Sequence, residues 1–259
     1  MTRFARSVSL AAAVVGLAVP LSAFAQAGKP TVAIMQFTNG AFGKDKADYE
    51  GLSKGIPDFM ITDMSANTNI KVLERTAVQS LVDEQKLVTG GQVDKETAVK
   101  IGKLLGVHHM IFGVYMTDGK GNFRVDARAV SVETGQIEYT DRVDDKADNI
   151  MTAISALAGK LNTGMKLPAM PVRRTGDATP AAAPTAGKPA TTTGAAATQA
   201  GSAAPTKLPM RVAVMYGKAL DLADKHKKSE AVELFGAVLK EFPEYSPAKS
   251  ELAKLNKTS

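Results

Sequence analysis

Apolar residues recur along the chain with two periods, and these periods predict its secondary structure. Short apolar runs, typical of buried strands, occupy 32–37, 70–73 and 107–115. Alternating apolar and charged residues, typical of half-solvated strands, follow at 123–129 and 137–139. Helical spacing of apolar residues predicts helices around 52–60, 78–82, 98–105 and 150–161. The order β-α-β-α-α-β-β-β-α predicts one α/β domain over residues 30–167, with a single mixed sheet and packed helices.

Local signals indicate where some of these elements begin and end. Thr76, followed three residues later by Gln79, has the spacing of a capping box that would open a helix. Asp94 can cap the next helix, and Gly106 would end it. The turn sequence 118–122 is expected to join two strands as a hairpin, because its resemblance to a phosphate-binding loop is superficial.

The first 25 residues have the pattern of a secretory signal peptide. Two arginines precede an apolar run at 8–19, which is too short to span a bilayer. Small residues then form an Ala-x-Ala site, so cleavage is expected between Ala25 and Gln26. Cleavage after Ala27 and an uncleaved N-terminal anchor are the alternatives. The expected location is the periplasm, and association with the outer membrane stays open.

Composition changes sharply between Pro168 and Pro209. This stretch holds seven of the chain's twelve prolines, among Ala, Thr and Gly, and it has no aromatic residue. Such a stretch cannot bury enough apolar surface to offset its ordering entropy, so we expect a disordered linker over 168–209. Residues 210–257 beyond it have helical spacing throughout, which predicts a small all-α hairpin followed by a third short helix.

Charge excludes one class of partner. The net charge of +6 and a pI near 9.3 would suit nucleic acid. However, residues 28–167 carry a net charge of −1, and the basic excess lies at the two ends and in the linker. We therefore expect no nucleic-acid partner. Short basic clusters at 173–174 and 225–228 leave peripheral contact with anionic lipid or peptidoglycan open.

The sequence contains no recognisable catalytic or metal-binding arrangement. Without cysteine there is no thiolate zinc site, iron–sulfur cluster or cysteine nucleophile. His108 and His109 are adjacent at the start of a strand, so their side chains are expected to point to opposite faces and not to share an ion. There is also no GxSxG motif. We expect a protein that is not an enzyme and has no cofactor and no metal.

Residues of the C-terminal segment fall at the spacings that tetratricopeptide repeats use for helix packing and termination. These residues are Ala219, Ala231, Phe235 and Pro243. The segment resembles one such repeat, although it lacks Trp and has Leu222 where Tyr is usual. Because about three repeats are needed for stable stacking, one repeat alone cannot form the peptide groove of these arrays. A hairpin that docks onto another surface and a dedicated binding module both stay open.

Five segments of the α/β part carry a family resemblance, in the correct order along the chain. They are 32–37 (VAIMQF), 72–75 (VLER), 81–85 (LVDEQ), 98–107 (AVKIGKLLGV) and 110–114 (MIFGV). They resemble the CsgG/HfaB family, the curli-type secretion components of bacterial outer membranes. The resemblance makes Glu74, Arg75, Gln85, Gly106 and Gly113 candidate assembly or family-motif positions. For Glu74-Arg75 it implies a contact with a neighbouring subunit; the alternative is that Glu74 helps to cap a helix and Arg75 pairs locally.

Two features depart from the pore-forming members of this family. Those members are lipoproteins that insert long β-hairpins, whereas this chain has no cysteine to acylate, and 115–142 is too short and too charged for membrane strands. The fold is also shared with periplasmic activators of penicillin-binding proteins and with the N-terminal domain of the TolB translocation protein. We expect an exported, non-enzymatic adaptor or scaffold with protein partners, and homo-oligomerisation stays open. The alternative is a periplasmic activator of peptidoglycan synthesis that acts by protein contact.

Overall fold

A computed structural model describes residues 28–41, 45–85, 93–118, 120–169 and 208–257. The predicted signal peptide and residues 170–207 of the predicted linker lie outside the described residues. Five strands form one sheet, and three helices follow at the C-terminus. The predicted mixed α/β class is therefore confirmed.

The strands are β1 Thr31–Asn39, β2 Lys71–Val72, β3 His109–Thr117, β4 Asn122–Ser131 and β5 Ile137–Lys146. The helices of the α/β part are α1 Asp45–Tyr49, α2 Leu52–Ser65, α3 Arg75–Gln85, α4 Lys95–Leu105 and α5 Ile150–Gly164. The C-terminal helices are α6 Met210–Asp224, α7 Lys228–Glu241 and α8 Ser246–Lys257. Within the described ranges, the structure adds only the five-residue α1 and a 3₁₀ turn at Ala147–Asn149 to the predicted order.

The sheet has the strand order β2-β1-β3-β4-β5. Its first three strands are parallel because helices connect them, and β3, β4 and β5 are antiparallel because tight turns connect them. In the first of these turns the carboxylate of Asp118 accepts the backbone N–H groups of Lys120 and Asn122, at 2.8 and 3.0 Å. The turn predicted at 118–122 therefore joins β3 to β4 as a hairpin.

Each face of the sheet has its own apolar core. Side chains such as Ile34, Phe37 and Ile111 lie on the face that α2 and α5 cover. Side chains on the other side of the same strands, such as Met35 and Phe112, lie on the face that α3 and α4 cover. On β4 the apolar residues at 123, 125, 127 and 129 point to the first face, and Val130 points to the second. The charged residues at 124, 126 and 128 remain half-buried or exposed.

Two of the predicted signals at helix ends are confirmed. Asp94 is the N-cap of α4, and its carboxylate accepts the N–H of Thr97 at 2.7 Å. Hydrogen bonds from Thr97 lower the pKa of this carboxyl. Gly106 ends α4 in the left-handed conformation, with φ of 65°, which is inexpensive for glycine because it has no Cβ.

The capping box predicted at Thr76 and Gln79 is wrong. Helix α3 begins at Arg75, so Thr76 already lies inside it. The amide of Gln79 hydrogen-bonds instead to the side chains of Lys54 and Asp83. Tertiary contacts of α3 with α2 and α6 therefore override the local signal.

Glycine at 113 allows β3, β4 and Phe37 to pack closely. A Cβ at Gly113 would overlap the carbonyl oxygen of Asp126 and would lie 2.5 Å from Cε1 of Phe37. We predict that Gly113→Ala lowers the free energy of unfolding by about 3 kcal/mol, because the backbone of β4 and the ring of Phe37 would have to shift to make room for the added Cβ. Gly159→Ala is the control, because its Cβ meets nothing within 4 Å; it should raise stability by up to about 1 kcal/mol. Chemical denaturation measures both, and two equal values would contradict the prediction.

Candidate interaction site between the α/β domain and the C-terminal helices

The C-terminal helices pack against the chain's own α/β domain. One continuous apolar core runs from Ile56 and Phe59 on α2 to Val212 and Tyr216 on α6 and Phe235 on α7. All five side chains are almost fully buried. Of the two alternatives left open for the predicted hairpin, the structure shows docking, and the docking surface is α2.

The junction brings two backbones into direct contact. Gly51 lies at the start of α2, and Gly217 lies in the middle of α6. A Cβ at Gly217 would overlap the carbonyl oxygen of Gly51, and a Cβ at Gly51 would overlap the carbonyl oxygen of Val214. This approach therefore requires glycine on both sides.

Tyr216 is the centre of the aromatic packing in the junction. Its ring stacks on Phe59 of α2 at 5.7 Å and meets Phe235 edge-on at the same distance. The ring of Tyr245, which precedes α8, also meets it edge-on at 5.3 Å. Such pairs each add about 0.5–1.5 kcal/mol beyond area burial. One side chain of α6 thus links the α/β domain to the next two helices.

A cluster of charged residues, here called the junction cluster, lies beside these rings. It consists of Lys54 and Asp58 on α2, Arg75 on α3, and Asp224 at the end of α6. Nη1 of Arg75 donates to Asp224 at 2.6 Å, and Nζ of Lys54 lies 3.2 Å from the same carboxylate. Nε of Arg75 lies 3.8 Å from Asp58. The side chains of Arg75 and Asp224 are 7% and 10% exposed, so each charge depends on its partner.

The charges of the junction cluster balance only when α6 is docked. On the α/β side, Lys54 and Arg75 outnumber Asp58, and Asp224 of α6 supplies the missing negative charge. The hydroxyl of Tyr216 completes the arrangement by donating to Asp58 at 2.6 Å. Recognition of α6 is therefore both electrostatic and steric.

Burial changes the protonation equilibria of the junction cluster. It raises the pKa of Asp58, and the hydrogen bond from Tyr216 and the charge of Arg75 only partly oppose this effect. Burial by itself would lower the pKa of Arg75, but the hydrogen bond and the charge of Asp224 outweigh it and raise that pKa. Arg75 thus remains a cation, while Asp58 takes up a proton more readily than an exposed aspartate.

The structure places the Glu74-Arg75 pair at this junction. Arg75 is buried, and its partner Asp224 is 149 positions away, so its ion pair is neither local nor directed outward. Glu74 is exposed, and its carboxylate lies 3.9 Å from Nζ of Lys254 on α8. Gln85 is exposed at the last residue of α3. Contact of Glu74 or Gln85 with a neighbouring subunit stays a prediction.

The remaining candidate positions lie in packed interfaces or at the ends of helices. Gly106 and Gly113 have the roles in helix termination and strand packing described above. Ala219 and Ala231 are fully buried on the paired helices α6 and α7. Pro243 is exposed just beyond the end of α7. A tetratricopeptide-like hairpin would place these residues in this way, and the resemblance to that repeat stays a prediction.

The sequence interpretation missed Lys54, Asp58, Tyr216 and Asp224. Lys54 and Asp58 are four residues apart within an apolar helix, so they share a face with buried neighbours. Charges on such a face are a detectable signal, because isolated buried charges are rare. Nothing in the sequence indicates that their partners lie more than 150 residues further along the chain.

A second concave surface lies where β3 and β5 end and β4 begins. It is an open groove of about 470 Å³. Its lining includes Asp118, Asp145, Arg124 and Lys146. Hydrogen bonds from Asn122 to Asp118 and from Asn149 to Asp145 lower the pKa of each carboxyl. Both carboxylates thus already have partners within the chain, and neither is placed as a general acid or base.

The two adjacent histidines have separate partners. Nδ1 of His108 lies 2.6 Å from Oγ1 of Thr31, and Nδ1 of His109 lies 2.5 Å from Glu138. Within the described ranges no three His, Asp or Glu side chains are grouped as metal ligands. In those same ranges no helix is long and apolar enough to cross a membrane.

Comparison with known protein families gives one match. Residues 20–117 match the family model described as the curli production assembly/transport component CsgG. Over β1 to β3, the α/β domain is similar to this family. The match ends at the last residue of β3, so β4, β5, α5 and the docked helices lie beyond it. No curated protein matches this sequence.

Several solved structures are similar to about half of this chain. The lipoprotein GNA1162 from Neisseria meningitidis is 11% identical, with 51% of this chain and 95% of that chain covered and a TM-score of 0.39. The LpoB C-terminal domain from Escherichia coli is 12% identical, with 49% and 89% covered and a TM-score of 0.34. The PelC dodecamer from Paraburkholderia phytofirmans is 11% identical, with 55% and 90% covered and a TM-score of 0.33. At such scores these likenesses say nothing about function.

Gly217→Ala should separate α6 from α2. Its Cβ would overlap the backbone of Gly51, so we predict a loss of about 3 kcal/mol in the free energy of unfolding. The near-ultraviolet circular dichroism of the packed tyrosines should weaken with it. The matched control is Gly236→Ala in α7, where the added Cβ meets nothing within 4 Å. Equal stability of the two variants would show that the glycine contact is dispensable.

Asp58 should make the stability of the protein depend on pH. Its folded-state pKa is raised above the ordinary value of 3.8, so the folded protein binds the proton more tightly than the unfolded chain. The folded state is therefore disfavoured above the folded pKa, and this penalty disappears as the pH falls through that value towards 3.8. We predict that wild type gains stability relative to Asp58→Asn between pH 7 and pH 4. Denaturation of both proteins across this range checks the sign, and a difference that is constant with pH would refute it.

Proposed function

We propose that the chain is an exported, non-enzymatic adaptor or scaffold of the bacterial cell envelope, related to curli-type secretion and assembly components. The match of residues 20–117 to the CsgG family carries this proposal. The pattern of residues 1–25 supports export through a cleaved signal peptide, which would place the mature chain in the periplasm.

A role based on protein contact agrees with the chemistry of the described residues. Their buried charges are paired in the junction cluster, and the carboxylates of the groove are used by turns. The exposed part of the sheet and the outer faces of the C-terminal helices are left as candidate contact surfaces. Such surfaces suit a scaffold better than a catalyst, because among the described residues neither a nucleophile nor an acid–base pair is placed in a pocket.

The docked helices change the form that the adaptor would take. One of the two alternatives that the sequence leaves open is a hairpin that acts as a dedicated binding module. In the structure, the α6 surface that such a hairpin could present is packed against α2. We propose instead that the α/β domain and the three helices present one composite surface to the partner, and that residues 170–207 act as their covalent connection.

Crosslinking in intact cells tests this proposal. Wild type, Gly217→Ala and Gly236→Ala, each with the same C-terminal tag, are crosslinked and purified under denaturing conditions, and the captured proteins are identified. We expect wild type and Gly236→Ala to capture the same envelope proteins and Gly217→Ala to lose them, because only the latter disturbs the composite surface. Identical capture by all three variants would contradict the role of the docked helices.

The purified wild type also tests export, and the proteins captured with it decide between the two functional classes. N-terminal sequencing of the purified wild type should find Gln26 as the first residue if export and cleavage occur as proposed. An unprocessed protein that captures cytosolic partners would overturn the envelope location. A capture dominated by wall synthases would favour the alternative of a periplasmic activator of peptidoglycan synthesis.

A further inference from the structure

The outer edge of β5 is the long free edge of the sheet in the described part of the chain. The backbone N–H of Ala147 donates to the carbonyl of Gly121 beside β4, at 2.8 Å. In an antiparallel pair the direction of these groups alternates along the strand. The odd-numbered residues of β5 therefore bond to β4, and the N–H and C=O groups at 140, 142, 144 and 146 point outward.

Two of these outward N–H groups are occupied by neighbouring side chains. The carboxylate of Asp141 accepts the N–H of Arg142 at 2.7 Å. The carboxylate of Asp145 accepts the N–H of Lys146 at 2.6 Å. Exposed strand edges pair readily with other strands unless such devices block them. Half of the outward donors of β5 are thus unavailable to another strand.

The outward-facing charges of the edge are complementary to those of a second copy of the same strand. In an antiparallel pairing of two β5 strands centred on Val143, Arg142 faces Asp144 of a second copy, and the reciprocal pair forms as well. Within one copy Nε of Arg142 lies 3.5 Å from Asp144, and the two side chains are 62% and 58% exposed. Exposed ion pairs are weak, so this pair can exchange for the equivalent pair across two strands. Opposite charges at facing positions stabilise antiparallel strands. In the same register, Asp141 faces Asp145 of a second copy, and these like charges repel each other.

We infer that the β5 edge is a self-association surface for a second copy of this chain, blocked by Asp141 and Asp145. Each of the two carboxylates acts twice: it occupies one outward N–H, and it opposes the other carboxylate across the symmetric pairing. Neutralising them frees the donors of Arg142 and Lys146 and removes both repulsions. This inference does not depend on the proposed envelope role.

Light scattering during size-exclusion chromatography tests the inference on the full-length mature chain. Asp141→Ala/Asp145→Ala should have twice the mass of the wild-type particle at micromolar concentration. Adding Arg142→Asp should restore the wild-type mass, because position 142 would then repel Asp144 of the second copy. Adding Arg142→Asp together with Asp144→Arg should restore the doubled mass, because the opposite charges face each other again.

A separate variant covers the risk that the alanine pair does not fold. Asp141 also accepts from Tyr139 and Lys160, whereas Asp145→Ala alone leaves those contacts intact. That single change removes one carboxylate from each opposed pair, so it should also shift the mass upward. An unchanged mass in the folded variants would overturn the inference. An increase that Arg142→Asp does not reverse would also overturn it, since association would then use another surface.

Discussion

The contact between the backbones of Gly51 and Gly217 determines how the rest of the molecule is arranged. Because neither residue has a side chain, α6 can lie directly on the start of α2. This approach places Tyr216 against Phe59, and it brings Asp224 to Arg75. A wider separation would leave two buried cations without their shared carboxylate, and such a loss typically costs about 3–5 kcal/mol. Sterics and electrostatics therefore select the same docked position.

This docking makes the two faces of the sheet unequal. The face on the α2 side is covered by α2 and α5, and the C-terminal helices extend its core. The opposite face is covered by α3 and α4 near β1 and β3, while charged side chains of β4 and β5 remain accessible beyond them. Any partner thus meets either charged sheet or the outer helices.

Local physics explains which features could be predicted from the sequence. Apolar periodicity located the strands and helices, because each element buries one face. The predictions that Asp94 begins α4 and that Gly106 ends it were correct, because an N-cap and a left-handed glycine act within one turn of the helix. The capping box predicted at Thr76 was wrong because Arg75 pairs with Asp224 of α6 and Gln79 accepts from Lys54 of α2. The docking of α6 depends on pairs such as Arg75–Asp224 and Asp58–Tyr216, which are 149 and 158 residues apart, and periodicity does not report such pairs.

Covalent connection limits how the docked helices could serve recognition. Because α6 is joined to α5 through residues 170–207, docking onto α2 is intramolecular, and the covalent connection raises the effective concentration of α6 near α2. A partner helix that competed for α2 would have to overcome that concentration, and it would also have to reproduce the glycine contact and the carboxylate of Asp224. A partner that binds the assembled outer surface has neither cost. Binding to the composite surface therefore requires less free energy than displacement of α6 from α2.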